Sequence, residues 1–300
     1  MNTTTTPSST LPAVGHVDIT TDTPMDERSA RNLPPGGSFA RVVRAELQRA
    51  TRPRALAGLA LGTAAFATVA GVSTFASASD TAVVSRQGGA RLSDLTGAGG
   101  ATEAFAVGAS FAGFLVFVTF IAVIAGEFSG GTFRAMLLRY PNRMRLIVGK
   151  LTGLLLVTAG AIALAELFTV GVSLAMAPSQ DVSTTGWFSA DGLAEAAQDF
   201  GTALAGLAGW AIFGTTLAVV FRAIPLALGV GFAWAGPFEN IIVDSWDPGF
   251  RFFPGQVLGS LIRGGTAELG FGRAALTAGV YTGIAAVVTL ILTSRRDVTS

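Results

Sequence analysis

The sequence predicts an all-α membrane protein with six transmembrane helices, and three observations carry that expectation. Only 13% of the residues are charged, about half the share that a water-facing surface demands. Six long apolar segments run through the chain, at about 55–78, 104–126, 148–176, 199–220, 223–243 and 272–294. Cations crowd the connections on one side of these segments and are sparse on the other.

Each segment is long enough to cross a bilayer, because a helix rising ~1.5 Å per residue needs about 20 apolar residues for a ~30 Å hydrocarbon core. Two acids lie well inside the spans, Glu166 in the third and Glu239 near the end of the fifth. Residues 1–37 are rich in Thr, Ser, Pro and Gly without apolar periodicity. They are expected to form a disordered tail, and they lack the short apolar core of a signal peptide. Residues 38–300 then make up one transmembrane domain.

Orientation follows from the cations. With the N-terminus placed in the cytoplasm, thirteen Lys and Arg fall on that side: Arg41, Arg44, Arg49, Arg52, Arg54, Arg134, Arg139, Arg143, Arg145, Lys150, Arg222, Arg295 and Arg296. Five fall opposite, Arg86, Arg91, Arg251, Arg263 and Arg273, with most of the acids beside them. Both termini are therefore expected to be cytoplasmic in a multi-pass plasma-membrane protein. The high Ala and Gly content suggests a bacterial source.

Composition also excludes chemistry. The chain has no cysteine, so disulfides, iron–sulfur clusters and thiolate zinc sites are ruled out. Its one histidine, His16, lies in the tail, which leaves no embedded imidazole for haem, a metal or a catalytic triad. Paired intramembrane aspartates are missing too, so an embedded protease cannot be assembled. The chain reads as a non-enzyme, with no cofactor of its own and no nucleic-acid partner.

Small residues recur four apart at Gly58 and Gly62, Ala109 and Gly113, Gly149 and Gly153, and Gly279 and Gly283. That spacing lets helix backbones approach closely in lipid, and packing within one bundle is its simplest use. Ahead of the first span, Ser38 to Arg52 reads as an amphipathic helix, with Phe39, Val42, Val43, Leu47 and Ala50 on one face. A basic helix of that kind belongs in the headgroup layer.

The connection between spans two and three is the most informative stretch. Gly130 and Gly131 should break the incoming helix, and Thr132 suits the N-cap of a new one. Phe133, Met136, Leu137 and Tyr140 follow at i, i+3, i+4 and i+7, and Pro141 ends the helix. A short apolar-faced helix tied to two spans can either pass a push from a soluble motor or simply lie in the interface.

In this stretch, Glu127-Phe128-x-x-Gly131-Thr132-x-Arg134, with Arg143 and Gly149-Lys150 beyond it, resembles the ABC-2 type permease family. The resemblance extends to Phe221-Arg222 between spans four and five, to Glu239, and to Phe253-Pro254-Gly255-Gln256-Val257-Leu258 before span six. The chain departs from the family at Ser129 and Gly130, where basic or bulky polar residues are common. The resemblance implies a permease subunit of an ATP-driven exporter, with an amphipathic elbow helix before span one. It also implies a cytoplasmic coupling helix formed by Glu127, Phe128, Gly131, Thr132, Phe133, Arg134, Met136, Leu137 and Tyr140. The implied partners are a second permease subunit and an ABC ATPase subunit that carries ATP and Mg. This chain has no P-loop: Gly149-Lys150 is followed by Leu151, and Met144 stands where a glycine is required.

Glu166 lies sixteen residues beyond Lys150, or ~24 Å at helical rise. A carboxylate there costs about 2–3 kcal/mol or more unless it faces protein or water. It is either a lining group of a translocation path, with Thr169 and Ser173, or a structural or silent acid. Val257, Leu258, Leu261 and Ile262 suggest a short re-entrant or interfacial helix before span six, and Trp187, Trp234 and Trp246 suit the outer interface. The connections Ser79 to Glu103 and Ala177 to Gln198 read as flexible polar loops. Two other functions remain compatible with the composition: an ion-coupled secondary transporter or channel, and a non-transporting membrane scaffold. An ATPase gene adjacent to this one would separate them from the exporter.

Overall fold

The computed structural model describes residues 39–79 and 90–295; the tail expected over residues 1–37 lies outside them. Among the described residues all regular structure is helical. An amphipathic helix α1 (Phe39–Ala50) precedes the first span, α2 (Pro53–Ser77). After a short α3 (Leu92–Thr96) come the second span α4 (Glu103–Ser129), the short α5 (Thr132–Arg139) and the third span α6 (Arg143–Met176). The fourth span is α7 (Ala190–Phe221). The fifth is α8 (Ile224–Ala233), continued through a wide π turn at Trp234–Phe238 into α9 (Glu239–Ser245). The short α10 (Pro254–Ile262) and the sixth span α11 (Phe271–Arg295) complete the fold. Six of these units are long and apolar enough to cross a membrane, so the chain is a multi-pass integral membrane protein.

Local chemistry sets the boundaries. Asn142 caps α6 by accepting the Arg145 N–H at 3.0 Å, and Ser189 caps α7 by accepting that of Gly192 at 3.1 Å. The break before α5 is made by Gly131, which takes the left-handed conformation at φ 70°. Gly131 is therefore the N-cap, and the expected cap Thr132 is the first helical residue. Arg222 occupies the same backbone region at φ 53° in the tight turn from α7 to α8.

α4 and α7 form the centre of the bundle. They come close because glycines face bulk: Trp210 lies against Gly113, and Gly214 lies against the Phe117 carbonyl. Trp210 meets the Phe117 ring edge-on at 5.3 Å. Thr216 ties α7 to α11 by donating to the Ala285 carbonyl at 3.1 Å, a bond well suited to an apolar surround.

The four small-residue pairs divide. Ala109 and Gly113 pack in the core. Gly149 and Gly153 receive α1: a Cβ on Gly149 would stand 3.0 Å from Val42, and one on Gly153 would stand 2.7 Å from Glu46. Gly58, Gly62, Gly279 and Gly283 have open space over them, so they close no contact within the chain.

The end of the bundle opposite α1 differs from expectation in one respect. The described parts of its two first connections are not loose polar loops. Phe75, Ala90, Leu95, Ala101, Ala177, Val182 and Trp187 form a second small core. Trp187, expected at the interface, is buried there and donates its indole N–H to the Leu95 carbonyl at 2.9 Å. Trp234 and Trp246 are half exposed. The helix expected before span six is present as α10, and all four of its marked residues, Val257, Leu258, Leu261 and Ile262, are buried.

Candidate functional site at the α1 end

The α1 end gathers most of the residues that the sequence singles out. Its centre is a chain of charges that links three helices. The Lys150 ammonium, on the second turn of α6, donates to Glu46 of α1 at 2.5 Å and pairs with Glu127 of α4 at 2.6 Å. Arg49 of α1 reaches the same Glu127 oxygen at 3.2 Å. Lys150 is 0% exposed, and both carboxylates are buried while Arg49 is open to solvent. Two cations thus balance two anions. This balance matters because a buried charge without a partner costs several kcal/mol.

α1 is placed for this pairing by its own spacing. Val42 and Glu46 lie one turn apart and face Gly149 and Gly153 on α6. The expected apolar face of α1 is real, but Glu46 sits in the middle of it, between Val43 and Leu47. Counting cations in the sequence places Lys150 among the flanking surface charges; the structure buries it completely.

Beside the cluster, aromatic groups join further elements. The Phe128 and Phe133 rings lie 4.3 Å apart, and the Arg222 guanidinium stands 5.5 Å from the Phe128 ring centre. The α7–α8 turn, the end of α4 and the start of α5 therefore meet at one stack. A left-handed arginine costs of order 1 kcal/mol, and the cation–π contact offsets a comparable amount.

The apolar stripe of α5 exists as expected, but it faces inward. Phe133 is 2% exposed, and Met136, Leu137 and Tyr140 are partly buried against the main core. They anchor α5 to the bundle, with Phe133 buried and Met136, Leu137 and Tyr140 keeping part of their surface exposed. The outer face of α5 is formed by Arg134, Ala135, Leu138 and Arg139, with Thr132 exposed beside them. Leu138 stands out at 88% exposure. Glu127, likewise, is spent inside the chain.

Glu166 is not part of this assembly. It sits half-buried about two-thirds of the way along α6, with Thr169 and Ser173 buried near it, and Thr169 donates to the Ala165 carbonyl at 2.8 Å. Sequence reasoning missed Glu46, Arg49 and Leu138 as site residues. A carboxylate in the apolar face of α1 and a lysine at the start of a span were the available signals, since each demands an opposite charge.

The opposite end repeats the device. Glu239, buried at the start of α9, accepts the Gly255 N–H at 3.3 Å. It thus caps α10 from another helix, at an N-terminus whose dipole favours an anion. Two features that the sequence marks separately, Glu239 and Pro254-Gly255, are one contact. No group of metal-binding side chains occurs among the described residues. The ion cluster at the α1 end joins α1, α4 and α6. No protein-family model matches this chain, and no curated protein matches it.

Proposed function

We propose that this chain is the membrane-spanning subunit of an ATP-driven exporter of the ABC-2 type, with α1 as elbow helix and α5 as coupling helix. In this reading ATP and Mg bind a separate ABC ATPase, and a second permease subunit completes the path. The observation that carries it is the Lys150 cluster, which braces α1, α4 and α6 into one platform directly beside α5. A push on α5 would reach α4 through Phe128 and Phe133, and the α7–α8 turn through Arg222. The resemblance read from Glu127 to Lys150 supports the same assignment. Glu166, about two-thirds of the way along α6, is the proposed lining residue of the path.

The docking contact falls on Leu138, flanked by Arg134 and Arg139, and not on the inward stripe. Burying one large apolar side chain at such a point contributes about 2 kcal/mol, or roughly thirtyfold in affinity. Leu138→Asp combined with Arg134→Glu should therefore abolish co-purification with the ABC ATPase from the same source, or uncouple hydrolysis from transport. Membrane insertion should be unchanged, because no span is altered. A double variant that still binds the ATPase and transports at the wild-type rate would overturn the assignment.

The α1 end is proposed to be cytoplasmic, in the plasma membrane of a bacterium, from the thirteen-to-five cation count. Thr185 and Arg139 are both exposed and lie at opposite ends of the bundle. In intact cells Thr185→Cys should react with an impermeant maleimide and Arg139→Cys should not. The reverse pattern inverts the topology and removes α5 from reach of a cytoplasmic motor.

A further inference from the structure

A groove of about 560 Å³ lies between α7, α10, α11 and the wide turn that joins α8 to α9. Six aromatic side chains line it: Phe213, Trp234, Trp246, Phe252, Phe253 and Tyr281. The walls support one another. Trp246 stacks with Phe252 at 6.3 Å and meets Phe253 edge-on at 6.5 Å, while Trp234 meets Phe253 edge-on at 6.2 Å. Trp234 is held by the π turn, where it stacks on Phe238 at 4.8 Å. Pro237 lies inside that turn, and such turns recur where a helix must aim a side chain at a functional site.

The chemistry of the lining fixes the class of ligand. Its two hydroxyls are already committed, Tyr281 to the Phe252 carbonyl at 2.9 Å and Thr216 to the Ile212 and Ala285 carbonyls. Apart from the indole N–H edges of Trp234 and Trp246, the lining offers a polar ligand little to replace its lost hydration. The volume falls in the ~300–1,000 Å³ range of ligand sites. Trp234, Trp246, Phe252 and Ile284 are all about half exposed, so the groove is open at the surface of a bundle of spanning helices, a surface that borders on lipid once the helices are in a membrane.

We infer that this groove is a binding site for one acyl chain of a bilayer phospholipid, held between α7 and α11 beneath the aromatic residues at its mouth. The site stands on its own lining and is independent of the exporter reading. A lipid held in a concave aromatic site exchanges more slowly than one against a convex helix surface, because its contacts are lost together.

The test uses the intrinsic tryptophans. Trp187 and Trp210 are buried, whereas Trp234 and Trp246 face the groove. The full chain in detergent micelles is titrated with phosphatidylglycerol carrying brominated acyl chains, which quench an indole on contact. Quenching should saturate with a single class of site and disappear in the Trp234→Phe, Trp246→Phe double variant. Ala285→Leu adds three carbon atoms to the groove wall and should weaken half-saturation on the order of tenfold. Val287→Leu, on an exposed position of the same helix outside the groove, should leave it unchanged. Should Ala285→Leu fail to fold by size-exclusion and circular dichroism, Ile284→Ala removes part of the wall without adding bulk and should weaken binding likewise. Quenching that rises linearly with lipid mole fraction and is the same in wild type, Ala285→Leu and Ile284→Ala would overturn the inference.

Discussion

Lys150→Met should lower the stability of the folded chain by about 3–5 kcal/mol, the usual cost of removing one partner from a buried ion pair. The ammonium it removes is fully buried and serves two carboxylates. Without it Glu46 and Glu127 face each other under α1, with the solvent-exposed Arg49 still paired to Glu127. The measurement is thermal unfolding in detergent, with release of α1 read from the labelling of a cysteine placed at Val42, which is buried against α6. The triple variant Glu46→Gln, Glu127→Gln, Lys150→Met should recover most of the loss, because it removes the charges together. A Lys150→Met protein as stable as wild type, with Val42 still protected, would show that the cluster does not fasten α1.

A methyl group on Gly206 should also have a large effect. Its Cβ would overlap the Ile262 side chain and stand 3.2 Å from the Leu258 carbonyl. The first clash can be relieved by a side-chain change, but the second is with backbone, so α10 itself must move away from α7. Overpacking of this kind costs about 1–3 kcal/mol. Gly206→Ala should therefore lower the unfolding temperature and loosen α10, seen as faster hydrogen exchange at Leu258 and Ile262. Adding Ile262→Ala should restore part of the loss and not all of it. Gly259→Ala is the control, since nothing lies within 4 Å of a Cβ there; equal losses at positions 206 and 259 would sink the argument.

The spans were legible because length and hydropathy are local quantities. Each expected segment matches an observed helix, with ends displaced by up to nine residues where polar first turns such as Ala190 to Gln198 continue the helix beyond the apolar run. α1 and α5 were legible from periodicity, and so was the composition of their apolar faces. What periodicity does not contain is the direction in which a face points. Phe133 and Met136 satisfy the pattern of an insertion stripe equally well whether the partner is another protein or the chain's own core. The ion cluster was hidden for a different reason. Residues 46, 127 and 150 belong to three helices, and each alone reads as an ordinary flanking charge. Trp187 was misplaced because an indole beside a span end suits the headgroup layer, and only the partner carbonyl of Leu95, far away in sequence, explains its burial.

The same cluster also sets an order of events during synthesis. Glu46 is made 104 residues before the lysine that neutralises it. Until α6 has entered the membrane, α1 has neither its glycine seat at Gly149 and Gly153 nor a counter-ion for Glu46. A bare carboxylate must keep its water, so the nascent α1 is confined to the aqueous face of the bilayer while α2 and α4 are inserted. Lys150 and Glu127 meet as the α4–α6 hairpin closes, and only then does a vacant, complementary slot appear for Glu46. The helix ahead of the first span is thus fixed in place only after the third span, and its docking reports that the third span has arrived in register.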